Sequence, residues 1–190
     1  VLKNEFRTSK NSKYNNLFEE RLSNLFETKY TIGQVNGTTT MHTALAAGNV
    51  KPGDEVIVTP LTMSSTSLCV LHNGSIPVFA DVNPKTFNID PNSIRKLINN
   101  KTKAVITVSL YGLPTDCKEI YDICKENNIL LIEDNAESFM SIYNGKPLGT
   151  YCDFASYSFQ ASKHITCGEG GALTTNSREL ADAARRFTSL

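Results

Sequence analysis

The sequence lacks the features that mark several large classes of protein. Basic and acidic residues number 19 each, so the formal net charge is zero, and no surplus of positive charge favours nucleic acid or an acidic membrane surface as a partner. No apolar run approaches the roughly 18 to 20 residues of a membrane-spanning helix. The opening residues, VLKNEFRTSK, are too polar for a signal peptide. We therefore expect a protein that binds neither nucleic acid nor membrane.

Cysteine and histidine are also sparse. The five cysteines are odd in number, scattered, and lack the CxxC spacing of a zinc or redox site, and the three histidines are far apart. These features predict no metal site. Reduced thiols in a cytoplasmic protein are the simplest interpretation. The cysteines are Cys69, Cys117, Cys124, Cys152 and Cys167.

The length of 190 residues is sufficient for one domain with a substantial hydrophobic core. The chain begins with valine rather than methionine, and its last residues, RRFTSL, stop within a helical pattern. Both ends look cut, so we expect the chain to be a part of a longer protein. Near its start, the apolar spacing over residues 13–28 predicts an amphipathic helix.

Beyond this helix, short apolar runs alternate with helical patterns. Several runs are apolar on both faces, as strands buried in a parallel sheet must be. Further helices are predicted after the acidic cap and proline at Asp90 and Pro91, over about 115–127, and from Arg178 onward. This alternation predicts a three-layer α/β domain around a doubly wound, mostly parallel sheet. The predicted strands are 55–60, 76–82, 103–110, 128–134, 154–159 and 171–176, with 31–36 as a seventh.

Three segments combine residues that could carry chemistry at the carboxyl edge of such a sheet, where ligands bind. In VNGTTTMHTALAAGNV, threonines at the start of a helix could hold a phosphate or simply cap the helix. The segment has neither the GxGxxG fingerprint nor a Walker A loop, which disfavours a dinucleotide or a nucleoside triphosphate. In LLIEDNAES, the carboxylates that follow a strand could cap a turn, bind a metal, or pair with a cationic ligand atom.

The third segment is SYSFQASKHITCGEGGALTTN, in which Lys163 stands between a strand and a glycine-rich turn. A solvated surface lysine is the ordinary interpretation, and a buried reactive amine is the alternative. If the sheet brings Lys163 to the same edge as Thr38 and Asp134, the three supply what pyridoxal phosphate requires. Its phosphate needs donors, its ring nitrogen needs an acid, and its aldehyde needs an amine.

Seven motifs in order, from NGTTT through GDEVIVTPLT, PVFADVNPKTFNID, LYGLP, IEDNAES and SFQASKHIT to GEGGALTTN, resemble the DegT/DnrJ/StrS family. The resemblance covers about residue 14 to the end of the chain. It implies a fold-type-I, pyridoxal-phosphate-dependent aminotransferase that acts on nucleotide-linked keto-sugars in the synthesis of polysaccharide precursors. Glutamate is the amino donor that the family implies.

Carried over by position, the resemblance implies roles for seven residues. Lys163 would attach the cofactor covalently, and Asp134 would pair with its ring nitrogen. Phosphate contacts would come from Thr38, Thr39 and Ser158. Two positions depart from the family pattern: Glu137 stands where glutamine is usual near the ring oxygen, and Met63 stands where an aromatic residue commonly stacks on the ring. A carboxylate near the ring oxygen would repel it unless one of the two is protonated, and methionine can still cover the ring.

The resemblance further implies that residues 1–190 are a cofactor-binding large domain, that a C-terminal small domain is absent from this chain, and that the active site lies at a homodimer interface. Three alternatives stay open. One is a sugar 3-dehydrase, which keeps the fold and replaces the lysine by histidine. Another is a non-catalytic domain that binds the cofactor or only dimerises. The third is a dinucleotide-binding oxidoreductase domain, which lacks its glycine fingerprint here.

Overall fold

The computed structural model describes residues 12–188, which form nine strands and six α-helices. The opening VLKNEFRTSK lies outside the described residues. The strands are β1 (Tyr30–Gln34), β2 (Glu55–Val58), β3 (Ile76–Phe79), β4 (Thr102–Val108), β5 (Leu130–Asp134), β6 (Ile142–Tyr143), β7 (Lys146–Pro147), β8 (Phe154–Ser158) and β9 (Gly171–Thr175). The helices are α1 (Lys13–Leu25), α2 (Gly37–Ala47), α3 (Ser65–His72), α4 (Pro91–Leu97), α5 (Cys117–Glu126) and α6 (Arg178–Thr188).

Seven of the strands form one sheet in the order β1-β9-β8-β5-β4-β2-β3. The strands β3, β2, β4, β5 and β8 are mutually parallel, whereas β9 runs antiparallel to β8 and to β1. All seven strands expected from the sequence are present, and the mostly parallel sheet is confirmed. The pair β6 and β7 was not expected. The two strands form a hairpin joined by a two-residue turn, Asn144 and Gly145, and both turn residues have positive φ. Asn-Gly is the dipeptide that such a turn favours.

The sheet is covered on both faces. Helices α2, α3 and α6 pack on one face, where Val56, Ile106 and Ile132 point. Helices α4 and α5 pack on the other, where Ile57 and Leu131 point, and α1 packs on that same face nearer β8. Because neighbouring residues of a strand point to opposite faces, the central strands carry apolar residues on both faces where the helices cover them. The predicted three-layer α/β architecture is confirmed.

The helix boundaries follow from local chemistry. Helix α1 ends at Leu25 rather than near 28, because Glu27 adopts a left-handed conformation with φ of 52°. Helix α4 begins as expected: the Asp90 side chain accepts the N–H of Asn92, and proline occupies the first helical position. Helix α3 was not predicted, since it is short and rich in β-branched residues and serine. Within residues 12–188, no helix is long and apolar enough to cross a membrane.

Candidate active site

The register of the sheet brings polar residues together at the carboxyl edge of the central strands. Asp134 at the end of β5 lies opposite Val108 of β4 and Ser156 of β8. A cavity of about 380 Å³ opens at this edge; we call it the first cavity. Its lining includes every residue expected at the site except Thr39. The predicted residues on its wall are Thr38, Met63, Asp134, Glu137, Ser158 and Lys163.

Asp134 is the buried acid of this cavity, with only 4% of its surface exposed. Its carboxylate accepts the N–H of Ala136 and the hydroxyl of Thr66, each at 3.1 Å. Burial raises the pKa of the Asp134 carboxyl; the two hydrogen bonds and the charge of Lys163 act against that rise, and the charge of Glu137 adds to it. Burial disfavours the ionised form of the Asp134 carboxyl, and a cationic ligand atom beside it would favour that form. The site therefore fits a protonated ring nitrogen.

The turn that leads into α2 is held by its own residues and by close contact with the sheet. The Asn36 side chain accepts the N–H of Thr39 at 2.9 Å, and the Thr39 hydroxyl donates to the Asn36 carbonyl at 2.9 Å. A β-carbon added at Gly37 would lie 2.9 Å from that of Ser158, so only glycine allows this approach. The contact places Thr38 and Ser158 on one cavity wall, at the positive end of the α2 dipole.

Thr39 differs from the other predicted phosphate ligands. Both of its donors are used within the turn, and it is not among the residues that line the first cavity. In this structure Thr39 belongs to the helix cap, which is the simpler of the two interpretations of the threonine run. Its expected contact with a phosphate stays a prediction that the geometry does not support.

Lys163 lies in the turn after β8 and is half-buried. Its backbone N–H donates to the Gln160 carbonyl at 2.9 Å. Among residues 12–188, no hydrogen-bond or ion-pair partner is found for its Nζ atom, although its charge acts on Asp134. A half-buried amine without a partner, on the wall of a cavity, differs from a solvated surface lysine. Its position allows contact with a ligand in the first cavity.

Glu137 and Met63 occupy the two positions that depart from the family pattern. The Glu137 carboxylate accepts the N–H of Tyr111 at 3.3 Å. Met63 is 65% exposed at the cavity wall. The structure thus brings both side chains to the first cavity, and it gives Glu137 a backbone donor that the sequence did not indicate.

Several polar cavity residues were not anticipated. Asn36 and Thr62 belong to motifs that resemble the family, but neither was considered as a ligand residue. The turn after β8 contributes Gln160 and Ser162, and the glycine-rich turn contributes Glu169. The sequence signal that could have indicated these last three residues is that they lie close to Lys163 along the chain. Within residues 12–188, no three histidine, cysteine, aspartate or glutamate side chains are grouped so that they could hold a metal ion.

The chain is similar to one family of known proteins over its whole length. The family model described as "DegT/DnrJ/EryC1/StrS aminotransferase family" matches residues 1–190. GDP-perosamine synthase of Caulobacter vibrioides is 42% identical over 168 residues, which are 88% of this chain and 45% of that protein. UDP-2-acetamido-2-deoxy-3-oxo-D-glucuronate aminotransferase of Pseudomonas aeruginosa is 41% identical over 170 residues, 89% of this chain and 47% of that protein. The chain thus spans a little under half the length of these relatives.

Solved structures also superpose on most of this chain. An aminotransferase from Psychrobacter cryohalolentis superposes with a TM-score of 0.89 at 36% identity, over 91% of this chain and 44% of that one. NtdA from Bacillus subtilis with bound cofactor PMP has a TM-score of 0.86 at 34% identity, over 91% and 39%. A mutant of GDP-4-keto-6-deoxymannose-3-dehydratase with bound GDP-perosamine has a TM-score of 0.84 at 32% identity, over 90% and 46%.

Proposed function

Because the chain belongs to the DegT/DnrJ/EryC1/StrS aminotransferase family, we propose that it is the cofactor-binding large domain of an enzyme that aminates a keto group of a nucleotide-linked sugar. Aminotransferases of this family use pyridoxal phosphate. The observation that carries the proposal is that one cavity is lined by Thr38, Ser158, Asp134 and Lys163. These are the donors, the acid and the amine that this cofactor requires.

Each of these residues has a distinct task in holding the cofactor. The hydroxyls of Thr38 and Ser158, with the N-terminus of α2, would bind the phosphate. The carboxylate of Asp134 would pair with the ring nitrogen. The Nζ atom of Lys163 would form the covalent link. When bound, the cofactor supplies an aldehyde that accepts an amino group and a ring that withdraws electrons.

Asp134 acts through its charge. The hydrogen bonds from Ala136 and Thr66 occupy one lone pair on each carboxylate oxygen, which leaves further acceptor capacity for an N–H in the cavity. They also hold the carboxylate in one orientation. An ionised Asp134 keeps a nearby ring nitrogen protonated, because opposite charges favour the charged forms of both groups.

Lys163 acts as a base as well as an attachment point. Whenever it is not attached to the cofactor, the Nζ atom would be a free amine within the cavity. In that form it could accept a proton from the Cα of the amino donor. The same amine could return a proton at the sugar carbon that is aminated. Asp134, on which the charge of Lys163 acts, is held in one orientation by its two hydrogen-bond donors.

The further properties of the enzyme are also proposals. Glutamate is the amino donor that the family resemblance suggests, and a homodimer is its expected assembly. We place the protein in the cytoplasm, where thiols stay reduced; all five cysteines are free. Light scattering tests the assembly, since a strictly monomeric species at high concentration contradicts a dimer.

A sugar 3-dehydrase is the second candidate, and the similarity to the dehydratase structure favours it. The chain has a histidine in this turn, but it is His164, one residue after the lysine. His164 is exposed and does not line the first cavity. Since Lys163 does line it, the geometry supports aminotransfer better. A non-catalytic domain would need no amine beside the acid, and a dinucleotide-binding oxidoreductase would carry the GxGxxG fingerprint that the sequence lacks.

Reduction with borohydride tests the proposed function. In the protein loaded with pyridoxal phosphate, a visible absorption band should disappear on reduction, and peptide mass mapping should then find a pyridoxyl adduct on Lys163. The Lys163→Ala variant should show neither the adduct nor the band of the covalent form. Lys146→Ala is the matched control, because Lys146 lies in β7 and does not line the first cavity. An adduct on another lysine, or none with the cofactor bound, contradicts the proposal.

A further inference from the structure

A second cavity, of about 480 Å³, lies beside the first and shares part of its wall. The shared residues are Ala136, Glu137, Ser162 and Lys163. Because Lys163 lines both cavities, a molecule in the second cavity lies next to the amine that would hold the cofactor in the first. The second cavity is therefore a place for a reactant to meet the cofactor. Tyr111 and His164 line the second cavity and not the first.

The lining of the second cavity suits a hydroxyl-rich ring. The Glu137 carboxylate accepts hydrogen bonds, the imidazole of His164 can donate or accept, and the Ser162 hydroxyl, which donates to Gln160 at 2.7 Å, can still accept one. The Tyr111 ring offers an apolar face. Alternating hydroxyls and C–H faces are the chemistry of a sugar ring, which needs convergent polar groups together with an aromatic surface.

Tyr111 has an unusual backbone for a bulky residue. Its φ and ψ of 50° and 28° lie in the left-handed region, which costs a residue with a side chain free energy and costs glycine none. Its side chain gains little packing in return, because 86% of its surface is exposed. Strained residues of this kind persist where the surroundings enforce them, and they cluster at functional sites.

The surroundings of Tyr111 do enforce this conformation. The side chain of Asn88, 4% exposed, accepts the N–H of Leu110 at 3.1 Å and donates to the carbonyls of Leu113 at 3.0 Å and Pro114 at 3.1 Å. Glu137 accepts the N–H of Tyr111 itself. The turn is thus fastened on both sides of the tyrosine, and the exposed ring is held at the second cavity.

We propose that Tyr111 is a specificity-determining residue whose ring contacts the sugar ring of the nucleotide-linked substrate in the second cavity, where Glu137 and His164 bind the sugar hydroxyls. The inference rests on the proposed function, because it places the keto-sugar beside Lys163. It adds which cavity receives the sugar and which side chain recognises it.

Tyr111→Gly tests this inference without the risk of unfolding the chain. Glycine keeps the backbone N–H that Glu137 accepts and adopts the left-handed conformation without strain. We expect the urea midpoint to be unchanged or higher. By isothermal titration calorimetry with the cofactor-loaded protein, the affinity for GDP-mannose, UDP-N-acetylglucosamine or TDP-glucose, whichever the wild type binds best, should fall about tenfold. The affinity for the corresponding nucleoside diphosphate without sugar should stay the same.

Two further variants test whether the loss of sugar-nucleotide affinity comes from the aromatic ring of Tyr111. Tyr111→Phe keeps the aromatic face and should keep the affinity within about threefold of the wild type. Phe87→Gly is the matched control: Phe87 is also aromatic with φ of 62°, is 54% exposed, and lines neither cavity. We expect no change in sugar-nucleotide affinity from Phe87→Gly.

The outcomes distinguish this inference from the proposed function. A protein with no cofactor absorption band contradicts the proposed function itself. A protein with the band, in which Tyr111→Gly binds the sugar nucleotide as the wild type does, contradicts only the role of Tyr111. Equal losses for the sugar nucleotide and the bare nucleotide, or a wild type that binds no sugar nucleotide more tightly than the nucleotide alone, also overturn it.

Discussion

Replacing Asp134 by asparagine removes a negative charge from the first cavity while it keeps the shape of the side chain. The asparagine oxygen can accept the N–H of Ala136, and Thr66 can rotate its hydroxyl to accept from the new amide. A hydrogen bond to a charged group contributes about 1.5–3 kcal/mol and a neutral one about 0.5–1.5 kcal/mol. Exchanging both bonds therefore loses about 2 kcal/mol. Removal of a buried charge offsets this loss, so we expect the unfolding free energy at neutral pH to change by about 1 kcal/mol or less.

The same substitution should change how stability depends on pH in the cofactor-free protein. Burial raises the pKa of the Asp134 carboxyl in the folded state. Because its pKa is higher in the folded state than in the unfolded state, the protonated Asp134 stabilises the fold at a pH below the unfolded pKa of about 3.9. This stabilisation is lost as the pH rises through the pKa of the folded state. The wild type loses this contribution between acid and neutral pH, whereas Asp134→Asn does not. The variant should therefore gain stability relative to the wild type as the pH rises.

Although Asp134→Asn should gain stability, it should bind the cofactor more weakly than the wild type does. Without the carboxylate, the charge-assisted hydrogen bond to the ring nitrogen is lost, at about 1.5–3 kcal/mol. The dissociation constant for pyridoxal phosphate should then rise about 10- to 150-fold. Titration of the apo-protein followed by visible absorbance measures this constant, and urea unfolding at acid and neutral pH measures the stability.

Glu133→Gln is the matched control for Asp134→Asn. Glu133 is the preceding residue of β5 and is also buried, but it points to the opposite face, where it accepts the Gly149 N–H. Burial raises its pKa as well. This variant should alter stability and leave cofactor affinity within about threefold of the wild type. Unchanged cofactor affinity in Asp134→Asn, or an equal loss in both variants, refutes the assignment of Asp134 to the ring nitrogen.

Two further predictions concern the first cavity. Gly37→Ala should lower the unfolding free energy by about 1–3 kcal/mol and weaken cofactor binding, because its β-carbon would lie 2.9 Å from that of Ser158; an unchanged urea midpoint and affinity contradict this. Glu137→Gln should move the pH-dependent change of the cofactor's visible spectrum to lower pH, because a nearby negative charge favours the protonated form of the bound cofactor. Spectra recorded across a pH series decide it, and a shift to higher pH, or none, removes Glu137 from the neighbourhood of the cofactor.

The amino-acid sequence by itself determined the class of the fold and indicated which residues meet at one edge of the sheet. Strands that are buried on both faces carry apolar residues on both, so β2, β4 and β5 were visible through the short apolar runs VIV, AVI and LLI. Because parallel strands end at one edge, a carboxylate after one strand and a lysine after another were expected to meet. The structure brings Asp134 and Lys163 to one cavity. These features depend on local patterns and on the general geometry of parallel sheets.

Only the tertiary structure decided which donors are free and which cavity each side chain lines. Asp134 is held by Thr66, 68 residues away in the sequence, and Tyr111 is held by Glu137, 26 residues away. Neither contact has a local sequence signal, because it depends on how separate elements pack. Thr39 could serve as a ligand or a cap in the sequence, and the Asn36 side chain makes it part of the cap. The second cavity exists only because the turn after β4 is folded back against the turns that follow β5 and β8.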